Sequence, residues 1–132
     1  MSKYIYMAGL LDGEGTIGIA SFGKGQYRSP YISISSTTPE IMEWLKDNFQ
    51  GSVSTHKTYQ DHHKQSWSWK LTKLDSVKNL LSEVTPYMLE PDKVRRANMI
   101  LTEYSIVTVR NGKYSPEQLS KKLDFEARFL RR

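Results

Sequence analysis

Apolar positions recur along this chain with two periods, and each switch between them opens a new element. Tyr4 to Asp12 reads as a first helix. The tetrad Asp12-Gly13-Glu14-Gly15 ends it, because Gly tolerates the unusual dihedrals of a turn. Thr16 to Phe22 then alternates, with Ile17 and Ile19 on one face and Thr16, Gly18, Ala20 and Phe22 on the other. After the Gly23-Lys24-Gly25 turn, Tyr27 to Ser35 alternates again, Ile32 and Ile34 inward and Tyr31, Ser33 and Ser35 outward, so the pair predicts a hairpin.

Thr38-Pro39-Glu40 is a helix start, with a capping hydroxyl, proline in the first turn and an acid at the favourable pole. Ile41, Met42, Leu45 and Phe49 keep helical spacing until Gln50-Gly51. Ser52 to Thr58 and Ser66 to Thr72 predict a second hairpin, with Trp67, Trp69 and Leu71 inward and Ser66, Ser68 and Lys70 outward. A third helix spans Asp75 to about Tyr87, with Val77, Leu80, Leu81 and Val84 inward. Glu90-Pro91-Asp92-Lys93 reads as a chain break, followed by a fourth helix from about Val94 to Val107. Ser115-Pro116-Glu117-Gln118 opens a final helix with hydroxyl cap, proline and acid in order.

The order αββαββα plus C-terminal helices implies an α+β fold: a four-stranded antiparallel sheet with helices on one face and the other face free. A chain of 132 residues with 38% hydrophobic content suits one domain with a real core, about 4–110, and a helical tail, about 111–132. There is no run long enough to span a membrane and no secretory signal, so the expectation is an intracellular protein, cytoplasmic in a microbial or phage-infected cell or housed in an organelle. The absence of Cys excludes disulfides and thiolate metal sites.

The net charge of +5 matters through its distribution. Gly15 to Pro39 contains no acid, and Asn48 to Leu74 contains only Asp61. These segments are the predicted strands, so one sheet surface should be acid-free, as a nucleic-acid-facing surface would be.

The stretch Met7-Ala8-Gly9-Leu10-Leu11-Asp12-Gly13-Glu14-Gly15 stands apart. Two acids fall in the last turn of a helix, where the dipole is already negative. Gly9 and Gly13 each weaken the helix by about 1 kcal/mol relative to Ala. Small residues four apart let two helix backbones approach closely, and an acid at a helix end can hold a cation. Placed before ββαββα, the string resembles the signature of the LAGLIDADG homing endonucleases, with Met for the first Leu and Glu for the second acid. Ile41-Met42-Glu43-Trp44-Leu45-Lys46 with Phe49-Gln50-Gly51 resembles the family's second helix, and Lys93-Val94-Arg95-Arg96-Ala97-Asn98 the basic start of its later helix.

The resemblance implies a saddle-shaped sheet straddling the major groove of double-stranded DNA, and hydrolysis of both strands with Mg²⁺ (or Mn²⁺). One motif per chain implies a homodimer whose motif helices pack at the two-fold axis through Ala8, Gly9, Asp12 and Gly13; their low bulk suits a helix meeting its own copy. Glu14, just past the helix end, matches the metal-binding acid, with the Gly13 carbonyl as a further hard oxygen donor. Asp12 is then architectural. Lys93 matches the basic residue near the catalytic water, where an ammonium can stabilise developing charge. Ser36, with Ser35 its neighbour, stands where many members carry a water-holding amide, and is a departure from that pattern.

Base reading is expected from Lys24, Gln26, Arg28, Tyr31, Ser33, Ser35, Ser54, His56, Lys57, Ser66, Ser68 and Lys70. An ordinary solvated sheet face remains the plain alternative. A dimer would cover roughly 20 base pairs of near-palindrome. Arg95 and Arg96 are expected on phosphates or solvent. His56, His62 and His63 lack a second ligand cluster and read as loop residues touching DNA or solvent. An intron RNA-binding maturase and a non-catalytic DNA-binding protein are the alternatives on the same scaffold.

Overall fold

The computed structural model describes residues 2–23, 27–56, 64–110 and 112–131. Lys24, Gln26, Lys57, His62 and His63 lie outside the described residues.

Helix α1 (Lys3–Glu14) starts at Ser2, whose hydroxyl accepts from the Tyr4 N–H, and runs two residues beyond its expected end. It passes directly into strand β1 (Gly15–Ala20) with no loop. Gly15 is needed there for space rather than for its dihedrals: φ is −87°, but a Cβ would stand 2.5 Å from Leu11 Cδ2 and 2.7 Å from its Cα. Strand β2 (Ser29–Ser36) returns antiparallel to β1, pairing Gly15 with Ile34 at one end and Ala20 with Ser29 at the other. Helix α2 (Pro39–Phe49) follows, then the second hairpin of β3 (Ser52–Thr55) and β4 (Trp67–Leu71). Strand β4 pairs with both β3 and β2, giving the antiparallel order β1-β2-β4-β3.

The first turn of α2 is prepared one step earlier than expected. The Thr38 side chain makes no capping bond; Ser36 Oγ instead accepts from the Thr38 N–H at 3.0 Å. Between α2 and β3 the chain reverses at Gln50 and Gly51, both at positive φ. At Gly51 a Cβ would meet Trp69 Nε1 at 2.6 Å and the Lys70 carbonyl at 2.8 Å. The same turn presents the Gln50 carbonyl to Trp69 Nε1–H at 2.6 Å, so the fully buried indole keeps its hydrogen bond.

Helix α3 (Leu74–Val84) and a 3₁₀ turn (Thr85–Tyr87) lead to helix α4 (Pro91–Met99). The expected break at Glu90–Lys93 is in fact a helix start. Glu90 is the N-cap, its carboxylate accepting from the Lys93 N–H at 2.6 Å, and Pro91 takes the first turn, where its missing N–H costs nothing. A π-helical segment (Ile100–Tyr104) interrupts the expected single helix before the short α5 (Ser105–Val107). Helix α6 (Pro116–Leu130) opens with the full capping box of Ser115 and Gln118.

The sheet and the helices meet in one core. Ile17, Ile19, Ile32, Ile34, Trp69 and Leu71 point from the sheet into Met7, Ala8 and Leu11 of α1, Met42 and Leu45 of α2, and Val77, Leu80, Leu81 and Val84 of α3. Phe125 and Phe129 of α6 join the same cluster. The helices thus cover one sheet face and leave the other open, as an α+β fold of this order requires. Among the described residues no helix is long and apolar enough to cross a membrane.

Lys122 of α6 is buried in this interior. Its ammonium donates to Thr108 Oγ1 at 2.7 Å and sits 4.2 Å from the centroid of the Tyr104 ring. Burial pushes its pKa below the usual lysine value, against the pull of the Glu126 charge.

Gly51→Ala is expected to cost at least about 2 kcal/mol, from left-handed strain plus the collision with Trp69 and Lys70. The urea midpoint should fall with an unchanged slope. Lys122→Met is expected to raise stability at neutral pH. The unfolded chain binds more protons than the folded one between the lowered folded pKa and the ordinary value, so the native protein gains stability as pH rises through that window. The advantage of Lys122→Met over the native protein should therefore shrink towards alkaline pH, which denaturation at a series of pH values would measure.

Candidate active site and nucleic-acid interface

The end of α1 and the start of α4 are tied by reciprocal hydrogen bonds. The Asp12 carboxylate accepts from the Leu89 N–H at 3.0 Å and 3.1 Å to its two oxygens and from the Glu90 N–H at 3.0 Å. In the opposite direction, Lys93 Nζ donates to the carbonyls of Leu11 at 2.8 Å and Asp12 at 2.9 Å. The negative pole of α1 thus meets the amides and the ammonium at the positive pole of α4. The poor placement of Asp12 along its own helix is offset by a second helix some eighty residues on.

Glu14 takes no part in this exchange. It is the last residue of α1 rather than just beyond it, is exposed, and makes no hydrogen bond or ion pair with a described residue. The Gly13 carbonyl lies in the same last turn, where no helical residue four positions on exists to bond it. Beside the junction a polar cleft of about 480 Å³ is lined by Gly15, Thr16, Ile17, Glu90, Asp92, Lys93 and Arg96. Lys93 spends two of its three donors on α1 and has a third to offer. Among the described residues no group of three or more His, Asp or Glu side chains is gathered for a metal.

Ser36 lies at the same end of the sheet as Gly15, two residues past its partner Ile34. By strand alternation it shares the inward face with Trp67, its partner on β4, and its hydroxyl oxygen is engaged by the Thr38 N–H. It does not line the cleft beside Lys93.

The four residues expected at a two-fold helix contact divide. Ala8 is buried in the chain's own core, so it cannot form an outer surface. Asp12 is half-buried and bonded within the chain. Gly9 and Gly13 are exposed, and a Cβ added at either would meet nothing within 4 Å. With exposed Ile5 and Tyr6 they make an apolar, low-relief face on α1 that ends at Glu14. Sequence periodicity could have separated Ala8 from this face, since it falls one position from Gly9 and four from Tyr4 on the opposite side.

The open face of the sheet is rich in hydroxyls. Ser33, Ser35, Ser54, Ser66, Ser68 and Lys70 all project from it, as does Tyr31. Tyr31 lies over Gly18, stacks edge-on against exposed Phe22, and carries Lys70 Nζ 5.1 Å above its ring centroid. His56, just past β3, contacts Ser66 and Ser68 through its two ring nitrogens, each at 2.8 Å. No acid projects from this face among the described strand residues.

Three arginines expected outside are bonded within the chain, Arg28 while still exposed and Arg95 and Arg96 half-buried. Arg28 is held by α6: its N–H donates to Glu126 at 3.3 Å and its side chain lies 3.6 Å from the same carboxylate. Arg95 donates to the carbonyls of Arg128, Phe129 and Arg131, closing the C-terminal end of α6. Arg96 donates to the Ile17 carbonyl at 3.1 Å and lies 5.0 Å from the Phe129 ring centroid. Its Nε is 3.4 Å from Asp92, near enough for attraction but without hydrogen-bond geometry. Asp92 also accepts from Arg95, but these other acceptors lie on distant segments, the Glu126 carboxylate for Arg28 and backbone carbonyls for Arg95 and Arg96, which no local pattern could have revealed.

Asp12→Ala leaves two amides without their acceptor and should lower the unfolding free energy by about 2 kcal/mol. Lys93→Met should also destabilise, by less. Thermal or urea unfolding of both variants measures this, and unchanged stability in either would mean the corresponding bonds do not support the fold.

No protein-family model matches the chain, and no curated protein matches it in sequence. Solved structures do. The homing endonuclease I-CvuI in complex with its target aligns over 96% of this chain and 79% of its own, at 15% identity and a TM-score of 0.67. The LAGLIDADG homing endonuclease I-GzeII in complex with a DNA target aligns over 96% of this chain at 17% identity and a TM-score of 0.70; this chain spans 44% of it. The homing endonuclease I-TnaI aligns over 98% of this chain and 89% of its own, at 16% identity and a TM-score of 0.66. At these identities it is the architecture that is shared, and the chain has the α+β fold of the LAGLIDADG homing endonucleases.

Proposed function

We propose that the chain is a site-specific DNA endonuclease that cuts both strands of a long, near-palindromic duplex as a homodimer, using a divalent metal such as Mg²⁺. The observation that carries the reading is the division of labour at the end of α1. Asp12 and Lys93 are consumed in holding the junction together, while Glu14 beside them is exposed and without a partner among the described residues. A carboxylate kept free at the negative pole of a helix is unfavourable alone and becomes favourable next to a cation.

The donors present suit a hard cation. Glu14 offers carboxylate oxygens and Gly13 a carbonyl, the ligand types that Mg²⁺ takes along with water and phosphate oxygen. One chain supplies few of them, and the apolar face of Ile5, Tyr6, Gly9 and Gly13 leads to Glu14. Two copies meeting along that face would bring two Glu14 side chains near one axis. The metal, when bound, supplies charge stabilisation and an activated water for phosphodiester hydrolysis.

This chain's own residues do the rest. Glu14 holds and orients the cation, and the α1–α4 exchange fixes where Glu14 points. The third donor of Lys93, in the cleft beside Gly15, reaches a phosphate oxygen or an ordered water and stabilises charge there. The acid-free sheet face accepts the duplex without like-charge repulsion and reads base edges through hydroxyls and Lys70. I-SmaMI was solved on uncleaved DNA in the presence of calcium, and I-CvuI with Mg²⁺ and DNA that is not cleaved. Those relatives fit a reaction in which binding and cleavage are separable.

Purified protein incubated with a duplex library is expected to produce discrete double-strand cuts in Mg²⁺. Glu14→Gln should reduce the cutting rate by roughly two orders of magnitude or more while retaining duplex binding in Ca²⁺. Sedimentation of the protein–duplex complex should give two chains per duplex. A single chain per duplex, or full cleavage by Glu14→Gln, would overturn the mechanism.

A further inference from the structure

A chain of four hydrogen-bonded side chains runs across the open face of the sheet. Ser66 Oγ lies 2.8 Å from His56 Nδ1, His56 Nε2 lies 2.8 Å from Ser68 Oγ, and Ser68 Oγ lies 2.6 Å from Ser35 Oγ. The ring is held for this. The His56 N–H donates to the Ser66 carbonyl at 2.9 Å, and Gln65 Nε2 donates to the carbonyls of both His56 and Ser66. Ser35 and Ser68 are paired across β2 and β4. The two ends, Ser35 and Ser66, are thus separated by one strand spacing across and two residues along, roughly 8 Å. That is about two base-pair steps of duplex.

A neutral imidazole has one donor and one acceptor, and a hydroxyl has one proton to give. These counts restrict the chain to two patterns. With the proton on Nε2, Ser66 must donate to Nδ1, so towards solvent Ser66 can only accept. Ser68 then receives the ring proton, and the Ser35–Ser68 end keeps one free donor. With the proton on Nδ1, the ring donates to Ser66, which is freed to donate outward. Ser68 must now give its proton to Nε2, so the Ser35–Ser68 bond is donated by Ser35, which can only accept outward. The donor character of one end is therefore the complement of the other.

We infer that His56, Ser68, Ser35 and Ser66 form a tautomeric relay that reads two base positions as a linked pair, requiring a donor edge at one when the other presents an acceptor edge. The inference rests on the DNA-reading function proposed above and adds to it a coupling that independent hydroxyl contacts would lack. Ser66 as acceptor suits the amino groups of adenine or cytosine, and the donor at the Ser35 end suits guanine O6 and N7 or thymine O4. The other tautomer exchanges those preferences. His56 is in this sense a specificity-determining residue that need not touch a base.

The test is binding in Ca²⁺ to duplexes carrying the preferred site, selected from a randomised pool, and to versions with donor and acceptor edges exchanged at the two positions singly and together. Each single exchange is expected to weaken binding about tenfold, as a lost or unsatisfied hydrogen bond does. The double exchange should restore binding to within about threefold. Ser68→Ala cuts the relay but leaves both end hydroxyls, so in that variant the single effects should simply multiply. Nitrogen chemical shifts of His56 should report opposite tautomers in the two tight complexes, a readout that needs no variant. Retention of duplexes in which the two positions behave independently, or the same tautomer in both complexes, overturns the relay while leaving DNA binding intact. If no duplex is retained at all, the DNA-reading function fails and the relay with it.

Discussion

Opposite helix poles, brought together by residues about eighty positions apart, hold this molecule in register. At the end of α1 two carbonyls and a carboxylate need donors; at the start of α4 two amides and an ammonium need acceptors. Each set satisfies the other, so these groups are not left unpaired in a half-buried junction. Once α4 is fixed at that point it lies against β1, where Arg96 bonds the Ile17 carbonyl, and Arg95 closes the far end of α6. The motif helix is thereby connected to the last helix of the chain. Asp12 and Lys93 are taken up by this exchange, while the remaining acid, Glu14, is exposed and makes no hydrogen bond or ion pair with a described residue.

The junction also explains the absence of a loop between α1 and β1. Leu11 packs so closely on Gly15 that a Cβ has no room, and the strand leaves the helix within one residue. Glu14 is therefore positioned by rigid elements on both sides. On the far side of the sheet the constraint is looser. Its hydroxyls are oriented by each other and by His56, and Lys70 by the rings of Tyr31 and Phe22. Rigid support for a charge and mutual support among polar groups are different solutions, and they fall at the junction and on the sheet face respectively.

Much of this architecture was legible in the residues. The strands, their inward and outward faces and the helix order follow from periods of two and of 3.6, which are local properties. The α6 cap was equally plain, since Ser115, Pro116 and Gln118 act within one turn. What escaped was decided by partners. Pro91 reads as a break because Glu90 is an uncommon cap; in the fold its carboxylate accepts from the Lys93 N–H while its own N–H is held by Asp12. Thr38 looked like a cap until Ser36 took its amide. Ala8 belonged by composition to the glycine face but by rotation to the core.

The sequence by itself determined the fold class, the glycine-lined face of the first helix and the acid-free surface, because each depends on residue type at a short, regular spacing. Only the tertiary structure decided what the charged residues do. Arg28, Arg95 and Arg96 are bound to α6 and β1, Lys122 is buried against Tyr104, and of the two acids in the motif one is consumed and the other has no partner among the described residues. A charge takes its role from whatever neutralises it, and in this chain those partners are brought near only by folding.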